Sequence, residues 1–494
     1  MSIFRQSDRS TTAAMFVVAA LLATALRVAV IDNDLWLDEV WSVQHASSIE
    51  SPADIFISLH HDNNHHLNTL WLWFCGADAG PVQQRFLSLV TGVLATLLTG
   101  VLTMRWGKLS AATAMLISSV SIMFVQYSTE ARGYSLALCF ALSAHWCLRK
   151  HLIDRGVFAA LGFGCFCALG TLSHLSFLQY YFAAVFWTSG ALACDQPSLL
   201  QWCKRMLRCH ALAVACLGAI YLVDVRYLTF GGGPRLNAVT VFINAVSVFF
   251  GGTFDELTRL LYFSVVVIGI VAGLLKMVRS GQDEWKFFAC LFVLFPLFRV
   301  VLLPAGLMFE RYFLILLGFA TIPISIGSMQ LLTGRFPQRL VLGFLTILFV
   351  AGNVSHISQL AQDGRGHYQR TMAMIADESP ESIRISSDHP FRNRLLIEYF
   401  AARCENARPV EYVDLGEWNE PPEWMICHHI PRDNDPAFNF FEPNGQPRAS
   451  LNVSGFTYKL RSMTSTAELS GCEWLCYRLA TSTEHASGKL KRIH

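Results

Sequence analysis

WLDEVWS, residues 36–42, sets two adjacent carboxylates, Asp38 and Glu39, between tryptophans just past the first long apolar run of the chain. Acids at a membrane surface suit a general base or a metal ligand. Solvated charge within an interfacial tryptophan belt is the plainer alternative. Further on, HHDNNHHLNTLWLW crowds His60, His61, Asp62, His65 and His66 ahead of an aromatic helix. Imidazoles and a carboxylate this dense could bind a divalent cation, with His61, Asp62 and His66 as the ligand set, although the spacing matches no closed zinc pattern. A polar histidine-rich loop, or hydrogen bonding to a sugar or phosphate, is the other reading.

Two more acid–arginine pairs lie at junctions between apolar segments: Glu130 and Arg132 in YSTEARGYSL, and Glu310 and Arg311 in FERYFLILL. Arg85 sits near the start of the second apolar segment, and His174 lies in TLSHLSFL between two others. Guanidinium groups at headgroup depth call for an anion, and their fork of donors matches phosphate oxygens. A structural ion pair between Glu130 and Arg132, or ordinary phospholipid headgroups, would also satisfy them. A lone histidine such as His174 is more often simply hydrogen bonded.

These groups need a frame that holds them at one surface, and composition says what it is. Of 494 residues, 53% are hydrophobic and 15% charged, so lipid is the main solvent. A net charge of +2, with basic residues scattered among apolar stretches, suggests neither nucleic acid nor an acidic protein partner. The expected partners are membrane lipids and molecules carried in the membrane. The run from about Thr12 to Ile31, behind Arg5 and Arg9, is long enough to cross a bilayer and lacks a small-residue cleavage site. It reads as a retained first span rather than a cleaved signal peptide.

Further apolar segments at 82–104, 111–128, 133–148, 157–172, 175–193, 209–224, 258–275, 286–303, 311–329 and 339–354 bring the expectation to about eleven spans. With a cytoplasmic N-terminus, inside loops carry Arg105 and Lys108; Arg149, Lys150 and Arg155; Lys204, Arg205 and Arg208; Lys276, Arg279 and Lys286; and Arg335 and Arg339. The positive-inside rule favours that orientation and puts everything after about Gln359 outside. A multi-pass membrane protein, its polar groups facing the periplasm or exterior, is therefore expected. The architecture is mainly α: a polytopic transmembrane helical bundle over 1–362, with outer loops 32–79 and 224–256, and a small C-terminal α/β extracytoplasmic domain over 363–494. The second loop contains GGGP and a short apolar helix around Val239 to Phe250. In the C-terminal domain, strands are expected at 383–386, 410–413 and 424–427, a helix at 391–404 and a closing hairpin over 455–479. Cys404, Cys427, Cys472 and Cys476 would lie in an oxidising compartment, where pairing is permitted in any of three connectivities.

In order and in wording, the chain resembles the GT-C superfamily of membrane glycosyltransferases, in particular the branch of protein O-mannosyltransferases and lipid A aminoarabinose transferases. The shared order is one span, an acidic pair in a long outer loop, a His-rich amphipathic helix, then a span beginning with arginine. EARGYSL is similar to that branch's EARPYAL, TLSHLSFL to its LTHY segment and ERYFLILL to its RYLLPLL. Gly133 stands where the branch has proline, and Leu67 and Asn68 follow His66 where it has a proline pair. The resemblance implies a GT-C-type bundle and an inverting transferase that takes a sugar from polyprenyl phosphate, such as undecaprenyl phosphate. The acceptor would be a glycan, lipid or protein on the outer side. Asp38 would be the base, with Glu39 orienting it or binding acceptor. Arg311, Arg132 and Arg85 would bind the donor phosphate, and His65, His66, Glu130, His174 and Glu310 would complete the pocket. The cofactor the residues suggest is a divalent metal cation. The alternative is a lipid or polysaccharide transporter or flippase, which would place polar groups at mid-membrane and show internal repeats.

Overall fold

The computed structural model describes residues 2–195, 198–231, 236–294, 296–297, 308–379, 381–404, 406, 408–430, 440–442, 445–480 and 491–493. Among the described residues, the apolar segments of the sequence form helix. The helices are Ser2–Ile31, Pro81–Thr103, Lys108–Val120 with Ile122–Tyr127, Tyr134–Asp154, Val157–Ser173, Leu178–Asp195, Leu199–Val223, Glu256–Arg279, Trp285–Ala289, Leu314–Leu332 and Phe336–Asp363. The second half of the expected segment 286–303 and most of GGGP lie outside the described residues. Among those described, 6 helices are long and apolar enough to cross a membrane, against about eleven expected spans. Others are shorter, such as Lys108–Val120 and Val157–Ser173. The break at Ser121 leaves the Ile122 N–H outside the helical ladder, and it donates to Asn353 Oδ1 at 2.7 Å.

The chain forms two compact units, Met1–Ile31 with His45–Ile357, and Asp32–Gln44 with Ser358–His494. The first unit is a helix bundle turned inside out by aqueous standards: Phe158 is 90% exposed, and Ile268 and Ile347 are each 67% exposed. Apolar faces of this kind need lipid around them, and the protein is a multi-pass membrane protein. Its core helix, Leu314–Leu332, is apolar all round and buried from Leu314 to Gly327. Small residues let it pack closely. In GIVAG of helix Glu256–Arg279, a Cβ on Gly273 would stand 2.0 Å from the Pro323 carbonyl oxygen, and one on Gly327 would stand 2.8 Å from the Gly269 oxygen. This is the small-xxx-small approach that joins helices where no hydrophobic drive exists.

Two buried charges tie the bundle. Arg27, fully buried in the first span, donates from Nε to Ser128 Oγ at 2.6 Å and from Nη1 to the Ala23 carbonyl at 2.9 Å. Glu284 is clasped by Arg105, by His145 Nε2 at 2.7 Å and by Arg149 Nε at 3.8 Å. Burial alone would raise its carboxyl, but the hydrogen bond from His145 and the fields of His145, Arg105 and Arg149 outweigh it and hold it at about 2.

The second unit carries helices Tyr368–Glu378 and Arg392–Ala401 and a sheet of β1 Ile383–Ser387, β2 Val410–Tyr412, β3 Trp424–His429, β4 Ser450–Val453, β5 Phe456–Thr464, β6 Glu473–Leu479 and β7 Lys491–Ile493. Strand order is β2-β1-β3-β6-β5-β4, with β7 beside β5. β1 runs parallel to β2 and β3; β3, β6, β5 and β4 pair antiparallel in turn. The β4–β5 hairpin turns on Ser454 and Gly455, both at positive φ (51° and 84°), the geometry that matches strand twist in a two-residue loop. Buried tryptophans are hydrogen bonded, Trp424 to Ser379 Oγ and Trp474 to Asn393 Oδ1. The four C-terminal cysteines are buried free thiols.

Candidate active site

The histidine segment belongs to the first unit, where it is laced onto the start of the second outer loop. Thr229 N–H donates to the His60 carbonyl at 3.0 Å, Asp62 N–H to the Thr229 carbonyl at 3.0 Å, and Gly231 N–H to Asp62 Oδ1 at 3.0 Å. Asp224, almost wholly buried, then takes His60 Nδ1 at 2.8 Å and His66 Nε2 at 3.1 Å. His61 turns instead to Asp62, 3.1 Å away. The expected metal set of His61, Asp62 and His66 is thus split, because His66 is engaged by Asp224. Among the described residues no group of three or more His, Cys, Asp or Glu is arranged to hold a metal ion.

The next residue along faces different partners. His65 Nδ1 accepts from the Gly133 N–H at 2.7 Å, and its ring meets His174 edge-on at 4.7 Å and Tyr134 at 5.4 Å. Burial, then the fields of Arg132, His174, Arg311 and His66, drive the His65 imidazole well below its ordinary pKa, so it is neutral at pH 7. With Nδ1 accepting, the single ring proton sits on Nε2. Arg132 Nη2 stands 3.5 Å from that Nε2 and donates to Asn63 Oδ1 at 2.8 Å. Two donors set side by side have one natural complement, an oxyanion.

Around this pair the wall is aromatic. Arg132 lies 5.0 Å over Tyr134, Tyr134 lies 4.3 Å from His174, and His174 lies 5.9 Å from Tyr312. Arg311 stacks 4.2 Å over Phe309 and is 9% exposed. His174 Nδ1 is held by Ser176 Oγ at 2.8 Å. Glu130 is fully buried, with Gln126 Nε2 3.3 Å from Oε1; Glu310 Oε1 accepts from Asn244 Nδ2 at 3.4 Å. Arg85 is also fully buried, its Nη1 donating to the Ile31 carbonyl at 2.7 Å at the end of the first span.

Gly133 explains its own departure from proline. A Cβ there would sit 1.9 Å from the Ser173 carbonyl oxygen, and a proline would lack the N–H that fixes the His65 tautomer.

The acidic pair belongs to the second unit, on helix Leu37–Ser47, and its members differ. Glu39 is fully buried; its Oε2 accepts from the Trp36 N–H at 3.3 Å and lies 4.0 Å from Arg365 Nε. Asp38 is half-buried, and its backbone carbonyl accepts from Ser42 Oγ at 2.8 Å. The structure therefore brings His65, Arg132, His174 and Arg311 together, gathers His60 and His66 on Asp224, and sets Asp38 and Glu39 in the other unit. Sequence reasoning missed Asn63, Tyr134, Tyr312, Asp224 and Arg365. The first three sit inside segments already singled out; Arg365, in DGRGHY, is flanked by glycines that permit a close turn.

No protein-family profile matches the chain, and no curated protein sequence does. Solved structures do. ArnT from Cupriavidus metallidurans in the apo state aligns with a TM-score of 0.52 at 12% identity, over 85% of this chain and 93% of its own. The same protein bound to undecaprenyl phosphate gives 0.50 at 14% identity, over 84% and 92%. The oligosaccharyltransferase of Archaeoglobus fulgidus in the apo form gives 0.51 at 12% identity, over 81% of this chain and 64% of its own length. The likeness is one of fold: the chain shares the membrane fold seen in ArnT and in this oligosaccharyltransferase.

Proposed function

We propose that the chain is an integral-membrane inverting glycosyltransferase that moves a sugar from a polyprenyl-phosphate donor to an acceptor hydroxyl on the outer side of a bacterial inner membrane. The observation that carries this is the donor pair of Arg132 and neutral His65, with Arg311 close enough to act on the same imidazole. ArnT, with the same fold, binds undecaprenyl phosphate.

In this reading Arg132, Arg311 and His65 hold the donor's phosphate, where negative charge grows as the bond to the anomeric carbon breaks, so their stabilisation is greatest in the transition state. The half-buried carboxylate of Asp38 takes the acceptor's hydroxyl proton as its oxygen attacks that carbon from the opposite face, and polyprenyl phosphate leaves. Glu39, locked by Arg365, positions its neighbour. Arg85, committed to the Ile31 carbonyl, joins helices rather than binding donor. Tyr134, Tyr312 and His174 wall the site against water. Roles for Glu130 and Glu310 are to hold the surrounding loops through Gln126 and Asn244. The first unit supplies the donor site, and the second, residues 32–44 and 358–494, serves the acceptor side.

Purified Asp38→Asn protein should bind undecaprenyl phosphate normally yet consume the lipid-linked sugars of its own membranes at least ~100-fold more slowly, the scale of a lost general base. Wild-type protein that neither binds undecaprenyl phosphate nor consumes any such sugar would overturn the proposal.

A further inference from the structure

The second unit contains an open cavity of about 690 Å³, inside the ~300–1,000 Å³ range of small-ligand sites. Its charged lining balances, Asp32, Asp34 and Asp377 against Arg365, Arg370 and Arg403, and the imidazole of His367 and amide side chains stand between them. The apolar lining is confined to alanine, glycine and Cys404, too little for an acyl chain. A surplus of neither sign means that no anion or cation is selected. A lining that mixes donors and acceptors suits a ligand that is itself dense in both, which describes a polyhydroxylated one.

The walls are pre-set. Gln369 N–H donates to Asp34 Oδ2 at 2.9 Å, Gln369 Nε2 to the Arg403 carbonyl at 3.0 Å, and Arg365 Nη1 to Asn33 Oδ1 at 2.6 Å. Arg365 is shared: it lines the cavity and, through Nε, lies 4.0 Å from Glu39, the neighbour of Asp38. A molecule seated here is one side chain away from the acidic pair. We infer that the cavity binds a neutral saccharide and that this saccharide is the acceptor; the second half of that inference rests on the transferase reading.

The test uses detergent-solubilised full-length protein on an array of neutral glycans, acidic glycans and peptides, with undecaprenyl phosphate binding measured in parallel. Arg370 and Asp377 are exposed rim residues, so Arg370→Ala/Asp377→Ala leaves the fold intact, which an unchanged melting temperature verifies. Wild-type protein should retain neutral glycans; the double variant should bind them at least tenfold more weakly, with undecaprenyl phosphate binding within twofold of wild type. Retention of acidic glycans or peptides alone, of no glycan, or of neutral glycans undiminished in the variant overturns the inference. Loss of undecaprenyl phosphate binding with glycan retention kept would instead remove the transferase reading and leave a saccharide site.

Discussion

The role proposed for His65 depends on a neutral imidazole. Its pKa is depressed in the folded chain, so the folded state binds fewer protons than the unfolded one below an ordinary histidine pKa of about 6.5. The stabilisation is complete above that pH and is lost as pH falls through it toward the depressed value. His45, pushed down to about 4 by burial and then by His61, adds in the same direction. Amide protection factors over residues 45–75, taken against the intrinsic exchange rate at each pH, should therefore fall between pH 6.5 and 5; protection factors that are flat across this window would mean that the two imidazoles are not held as described. Arg132→Ala and Arg311→Ala each remove a charged hydrogen-bonding group, and should weaken undecaprenyl phosphate binding by about 1.5–3 kcal/mol, or roughly 10–150-fold. Unchanged affinity in either would take that arginine off the phosphate. The sequence exposed these residues because arginines on the expected outer side break a charge rule. It could not show that Arg85, which breaks the same rule, donates from Nη1 to the Ile31 carbonyl. Nor could it foresee that Asp224 takes His60 and His66, since nothing local joins positions so distant.

Helices and strands were legible because their signals are local. Runs of apolar residues became helices, and short stretches rich in apolar residues, Ile383–Ser387 and Trp424–His429, became β1 and β3. What local patterns do not carry is where an element goes. Residues 32–44 read as the start of a first outer loop, yet they fold with the C-terminal unit, joined to it by Glu39 and Arg365. Breaks such as Ser121, where Asn353 takes over a backbone N–H, also shorten helices that look continuous as sequence. Gly133→Pro, the residue of the similar branch, should be harmful here: the clash with Ser173 and the lost bond to His65 cost about 2–4 kcal/mol together. Its melting temperature should fall and its undecaprenyl phosphate affinity should drop with it. A variant as stable and as tight as wild type would show that the Ser173 approach relaxes freely.

At the scale of the whole molecule, orientation follows from loop charge, and reporter fusions check it. Alkaline phosphatase fused after His494 should be active, and fused after Arg155 inactive, because that enzyme matures only outside the cytoplasm; the opposite pattern would invert the topology and the proposed outer site with it. The Glu284 clasp has a further consequence, one of timing. Its carboxylate follows Arg105 by 179 residues of chain. At ~5–20 residues per second, a growing chain carries Arg105 for roughly 9–36 s, and His145 and Arg149 for roughly 7–28 s, before their counter-ion is made. The early half of this protein must wait at the translocon, cations still hydrated or escorted, until the later half arrives to close it. Nascent chains cut short before residue 284 are thus the natural prey of membrane quality control.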